Sequence, residues 1–137
     1  DGAGHYPTID DFVYRERVTF GHVGKPFLVY QQRTWHPEQG HPMHAETGYL
    51  RPGHEGRVEL VLAHPTGIVE VEEGTFDGGT LRLETTTIGR TSTAKDVRRL
   101  RREFRLEGDR LDYDLWMAHA DVAEAHHLAA TLFRVEG

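Results

Sequence analysis

The chain is patterned with a period of two. Phe12, Tyr14, Val18 and Phe20 alternate with Val13, Arg15, Arg17 and Thr19 as far as Gly21, the pattern of a half-buried strand. After Lys25-Pro26, Phe27, Val29 and Gln31 alternate with Leu28, Tyr30 and Gln32, and this run closes near Trp35-His36-Pro37 and a Glu38-Gln39-Gly40 turn. A third strand is predicted over 43–51. A fourth, over 58–64, is apolar at Val58, Leu60 and Leu62. Pro65-Thr66-Gly67 then turns the chain into a strand over 68–76, and Asp77-Gly78-Gly79 turns it again into one over 81–88. Short strands at regular spacing with turn residues between them predict a sandwich or a barrel.

Two later segments need more argument. Over 95–106, Val97, Leu100 and Phe104 are three and four apart, and by spacing alone this fits one face of a helix slightly better than a strand. The Glu107-Gly108-Asp109 turn and the alternation of Leu111, Tyr113, Leu115 and Met117 that follows are hairpin signals, so the segment is read as the first arm of a long antiparallel hairpin. If 127–135 is extended, His127, Ala129, Thr131, Phe133 and Val135 share one face, and Leu128, Ala130 and Leu132 share the other. The face of His127 begins with small residues, which would leave room for a flat cofactor.

Composition narrows the chemistry. At 137 residues the chain is expected to form a single domain over 1–137 with a real core. Its apolar runs are too short to cross a bilayer and no apolar leader opens it, so a soluble, cytoplasmic protein without membrane partners is expected. Without cysteine there is no disulfide, thiolate zinc site or iron–sulfur cluster, and any metal must be held by nitrogen or oxygen. A net charge of −6 argues against nucleic-acid binding. Six basic residues between Lys95 and Arg105 against two acids leave that stretch at +4, and the strand reading makes it a solvated face. Ten histidines are more than this length usually carries, which directs attention to metal, cofactor or proton chemistry.

No HExxH motif is present, and His126 and His127 would point to opposite faces of a strand, so a chelating zinc site is not expected. His41 and His44 straddle a proline, and a two-histidine ligand there is disfavoured. His5, His22, His36 and His54 lie in glycine-, proline- or polar-rich surroundings and read as solvated. His44, His64 and His127 differ, because each sits in or at the end of an apolar alternating strand. His64 continues the face of Val58, Leu60 and Leu62, which in a barrel is the inside. Each alone reads as a core histidine satisfied by hydrogen bonds, and convergence of the three would change that. Ser92, the single serine, has no nucleophile elbow. Glu70, Glu72 and Glu73 read as the outer face of a strand rather than as a catalytic pair. No phosphate-cradling loop opens a helix.

The blocks GHYPTIDDFVYRERVTFGHVGKPFLVY, PMHAETGYLR, VELVLAHPTGIVEVEEGTF, TAKDV, GDRLDYDLWMA and HHLAATL, in order over nearly the whole chain, resemble the nitrobindin family. Gly2-Ala3-Gly4 stands where that family usually carries a Gly-x-Trp-x-Gly-x-Gly element. The resemblance implies an all-β fold, a compact antiparallel barrel of about ten strands like a lipocalin or fatty-acid-binding protein in appearance. It further implies one non-covalent heme b per chain, with no catalytic side chain because the chemistry occurs at the heme iron. His127 would be the axial iron ligand, Thr8 a heme contact, Met43 and His44 would line the distal side, and His64 would reach the cavity. The implied activity is isomerisation of peroxynitrite to nitrate, with binding of nitric oxide. A non-catalytic nitric oxide carrier or sensor and a barrel for an apolar ligand are the alternatives. The sequence leaves oligomeric state open, a homodimer included.

Overall fold

Turn chemistry sets the strand boundaries. In the computed structural model, which describes residues 2–6, 9–119 and 122–135 and side chains over 13–119 and 123–135, Gly78 and Gly79 both take positive φ at the tip of a hairpin. That is the pair of conformations a two-residue loop needs to match strand twist. Gly67 and Gly108 supply the same freedom at two further turns.

Ten strands run between such turns among the described residues: β1 (Gly2–Tyr6), β2 (Ile9–His22), β3 (Leu28–Trp35), β4 (Pro42–Pro52), β5 (Arg57–His64), β6 (Ile68–Asp77), β7 (Thr80–Arg90), β8 (Val97–Glu107), β9 (Arg110–His119) and β10 (Val122–Phe133). Each pairs antiparallel with the next, and β1 pairs with both β2 and β10, so the sheet closes into a barrel. The all-β barrel expected from the sequence is therefore the observed fold, and 97–107 is strand rather than helix. At Gly48 and Gly74 the backbone of the adjacent strand lies where a Cβ would stand, with Val61 O at 1.7 Å and Arg82 O at 1.6 Å from that position. Only glycine permits so close an approach. No helix among the described residues is long and apolar enough to cross a membrane.

The helix-like spacing of Val97 and Leu100 has a structural cause. Val97 opposes His119 while Arg99 opposes Ala118, so Arg98 is an extra residue, a β-bulge, and the inward positions move from 97 to 100. Thr86 on β7 and His127 on β10 are extra residues of the same kind: Val71 and Glu72 oppose Thr87 and Thr85, and Trp116 and Leu115 oppose His126 and Leu128. The three bulges border one apolar cluster of Ile68, Val97, Leu100, Leu115 and Met117, against which Ile88, Ala94 and Leu128 pack. A second cluster, with Tyr14, Tyr30, Leu60, Leu62, Leu83, Phe104 and Tyr113, fills another part of the interior.

The bulge at His127 shifts the phase of β10. Ala130, opposite buried Tyr113, is in the core, and Leu128 and Leu132 pack inward beside it. Ala129 and Thr131 pair with Asp114 and Asp112 on the outer face, where Asp114 meets half-exposed Arg105 and Thr131 Oγ1 donates to Asp112 Oδ1 at 2.5 Å. Ala129 and Thr131 are thus not on the cavity face where alternation placed them beside His127, because a simple two-residue period does not survive an inserted residue.

Two further expectations fail inside the barrel. Glu70 and Glu72 are fully buried, not on the outer face, while Val69 is 53% exposed. The cause is the register of the β5–β6 hairpin: Leu62 opposes Glu70 and Leu60 opposes Glu72, and directly opposed residues point to the same side. Nor is the basic stretch wholly a solvated face. Arg102 is 2% exposed and lies among these carboxylates, whereas Arg98, Arg99 and Arg101 meet Asp96, Glu84 and Glu124 outside.

Candidate functional site

His44, Glu46, His64, Glu70, Glu72 and Arg102 meet inside the barrel because four strands deliver them at matching heights. His44 and Glu46 are two apart on β4 and share a face. His64 ends the inward set Leu60 and Leu62 on β5, and Glu70 and Glu72 take the inward positions of β6. Arg102 reaches them from β8. Its Nη2 donates to Glu46 Oε2 at 3.1 Å and to Glu70 Oε1 at 3.0 Å, and its Nε donates to Glu72 Oε2 at 2.9 Å. Buried charges persist only when paired in this way.

Electrostatics divides the carboxylates. Burial alone would raise Glu70, but Arg102 and the bond from His64 hold it well below the usual carboxylate range. Burial pushes Glu72 well above that range, against the pull of Arg102 and with help from the adjacent Glu70. One of the two neighbours therefore stays ionised and the other keeps its proton.

His64 joins this network to His44. Its Nε2 lies 2.6 Å from Glu70 Oε2 and its Nδ1 lies 3.2 Å from His44 Nε2. An ionised Glu70 accepts only, so Nε2 of His64 carries a proton, and in the neutral ring Nδ1 accepts from His44 Nε2–H. Burial lowers the pKa of His44, which keeps it neutral. Cavities of about 530 and 680 Å³ adjoin the pair; Glu46 and His64 line the first, and Trp35, Met43 and His44 line the second.

On β10, His126 lies outside, its Nε2 2.8 Å from Asp114 Oδ1 and its ring edge-on to Trp116. His127 is half-buried at the bulge, one residue before Leu128 in the apolar cluster. That cluster contains Ile68, the register partner of His64, so β10 and the histidine pair border one apolar layer. Of the expected site residues the structure thus brings His44 and His64 into contact, leaves Met43 39% exposed beside them, and places His127 on β10, across the barrel from β4–β6. Thr8 lies outside the described residues. His41 stacks on His36 at 4.9 Å and is exposed, away from His44. Sequence reasoning missed Glu46, Glu70, Glu72 and Arg102. Reading inward Leu60 and Leu62 across the Pro65-Thr66-Gly67 turn would have found the two β6 carboxylates.

The donor set fits a heme: imidazoles, no thiolate, and a wall of Leu, Ile, Val and Met side chains suited to a porphyrin face. Comparison with known proteins supports that fit. "Peroxynitrite isomerase 2" of Mycobacterium ulcerans (strain Agy99) is 56% identical over 137 residues, covering 97% of this chain and 85% of that protein. "Peroxynitrite isomerase" of Nocardia farcinica (strain IFM 10152) is 55% identical, covering 97% of this chain and 83% of its own length. The crystal structure of Rv2717c from M. tuberculosis superposes with a TM-score of 0.91 at 49% identity, covering 98% of this chain and 88% of that one. The model of the THAP4-like, heme-binding beta-barrel domain matches residues 1–134, and the chain belongs to that family.

Proposed function

We propose that the chain holds one non-covalent heme b through His127, isomerises peroxynitrite to nitrate and binds nitric oxide. The observation that carries this reading is the bulge that extrudes His127 from the β9–β10 ladder next to the apolar layer bordered by His64's hairpin partner. Bulges re-aim a side chain beside functional sites. Relatives that share more than half of the sequence bear the name peroxynitrite isomerase, which supports the choice of substrate.

A bound heme would supply a Lewis-acidic iron centre for the rearrangement of peroxynitrite to nitrate. His127 would hold it, and Ile68, Leu100, Leu115, Met117 and Leu128 would keep water from the apolar side of the site. His44 and His64, held in fixed tautomers by Glu70, present polar atoms to the side where an anion enters, and neutral His44 does not trap the nitrate product as an ion pair. No acid or base among them needs to transfer a proton, since the isomerisation moves none. An apolar-ligand barrel is disfavoured, because Glu46, Glu70, Glu72 and Arg102 occupy interior positions that such a ligand would need.

The test compares adjacent histidines. His127→Ala is expected to lose the Soret band on hemin addition and the catalysed decay of peroxynitrite in stopped flow, with the far-UV spectrum intact. His126→Ala, on the outer face, keeps both. A His127→Ala protein with a normal Soret band and full isomerisation would overturn the assignment.

A further inference from the structure

We propose that His44, His64 and Glu46 form a second, non-heme site for a divalent first-row transition-metal ion. Each offers one ligand atom, and the three atoms lie within 4.8 Å of one another. The 3.2 Å between His44 Nε2 and His64 Nδ1 is close to the about 3.3 Å separating two nitrogens bound tetrahedrally at 2.0–2.1 Å to one zinc ion. An ion between the rings therefore needs little movement of either. His44 changes from donor to ligand by carrying its proton on Nδ1 instead of Nε2, so the exchange leaves the proton count unchanged.

The surroundings are those of a built metal site. A ligating histidine normally gives its second ring N–H to a carboxylate, which fixes its tautomer and makes it a better donor. His64 already does this, with Nε2 bonded to Glu70 at 2.6 Å in a fully buried position. Ligating carboxylates are normally hydrogen-bonded in turn, and Arg102 holds Glu46 through both Nη1 and Nη2 and Glu70 through Nη2. Two imidazoles and one carboxylate leave coordination positions open toward the adjoining cavities, as in sites that bind a small ligand or water at the metal. The exposed His36 and His41 pair has no such carboxylate support among the described residues and serves as the competing site.

Co2+ is the probe. The 137-residue chain, stripped with a chelator and with its heme content measured in every sample, is expected to take up one equivalent with visible d–d absorption that Zn2+ abolishes. Glu70→Gln weakens binding about 10–100-fold, His44→Ala or His64→Gln weakens it further, and His36→Ala with His41→Ala leaves it unchanged. No d–d absorption in the wild-type chain, undiminished binding in His44→Ala, or loss in the His36/His41 variant overturns the site. If His44→Ala fails to fold, the wild-type Co2+ protein decides: two paramagnetically shifted imidazole N–H resonances support the site, and their absence overturns it. Failure here leaves the His127 reading of heme binding untouched, because that rests on the Soret band.

Discussion

The two histidine-bearing walls of the barrel are built in opposite ways. On β4–β6, His44 and His64 are fixed by side chains, through a buried chain that runs from Arg102 to Glu70 to His64 to His44. On β10, His127 is placed by the backbone, through a bulge beside an apolar layer. A side-chain network sets tautomer and charge but is only as sound as its least satisfied member. A bulge sets position and leaves the imidazole's chemistry to whatever it meets. The first arrangement suits residues that tune a site, and the second suits a residue that must present one nitrogen in one place.

The largest effect that would break this contrast is on the polar wall. Arg102→Met removes the guanidinium that meets Glu46, Glu70 and Glu72, and breaking a buried pair from one side costs about 3–5 kcal/mol, a fall in Tm of roughly 10–20 °C for a domain of this size. Adding Glu70→Gln should recover part of that loss. A double-mutant cycle by thermal unfolding reads the coupling, and strict additivity would show that the network is not a unit.

The apolar wall should respond less, and in a different observable. Leu115→Ala, in the cluster beside Leu128, is expected to cost about 2–4 kcal/mol and to loosen heme retention without altering the His44–His64 bond. Hemin titration and the imidazole NMR signals, read side by side, separate these. A change in the histidine signals equal to that in Arg102→Met would erase the distinction between the walls.

What the sequence made legible follows the same division. Strand order, turns and the inward face of β5 were readable because apolar alternation and Gly67, Gly78, Gly79 and Gly108 act locally. The inward turn of Glu70, Glu72 and Arg102 was not, because each is tolerated only through partners on other strands, and period-two reading assigns charge to solvent by default. The bulges at Arg98 and His127 carry no local signal strong enough to override alternation, which is why β8 resembled a helix and the small face of β10 was placed inside. The resemblance named His44, His64 and His127 without the network that holds the first two.

pH sharpens the comparison on a smaller scale. Burial lowers His44 in the folded chain below the ordinary histidine value of about 6.5, so between that value and the lower one the unfolded chain binds the extra proton and stability falls as pH falls. The nearby Glu46 and Glu70 oppose this shift, whereas His64 and Arg102 add to it. His44→Gln is therefore expected to match the wild type's pH dependence at about pH 8 and to fall less steeply toward about pH 5. Thermal unfolding across that range measures it. His126, exposed beside Asp114, serves as the control on the outer face.

The smallest effect is expected where the same strand that buries Arg102 turns its other arginines outward. Arg98 is 60% exposed and bonded to Asp96 at 2.8 Å, a pair that water screens to about 1 kcal/mol or less. Arg101 is also outside, bonded to Glu124 at 2.7 Å, but its guanidinium lies 3.8 Å from the Trp116 ring centroid and so adds a cation–π contact of about 0.5–1 kcal/mol. Arg98→Glu should thus change stability less than Arg101→Glu. Neither should slow peroxynitrite decay appreciably at physiological ionic strength, since surface charges act over only about 8–10 Å there. Any effect on encounter with the anion must shrink further as salt is raised. A salt-independent loss of activity in Arg98→Glu would mean that the outer face of β8 communicates with the interior, and that Arg102 is not the only residue of that strand on which the site depends.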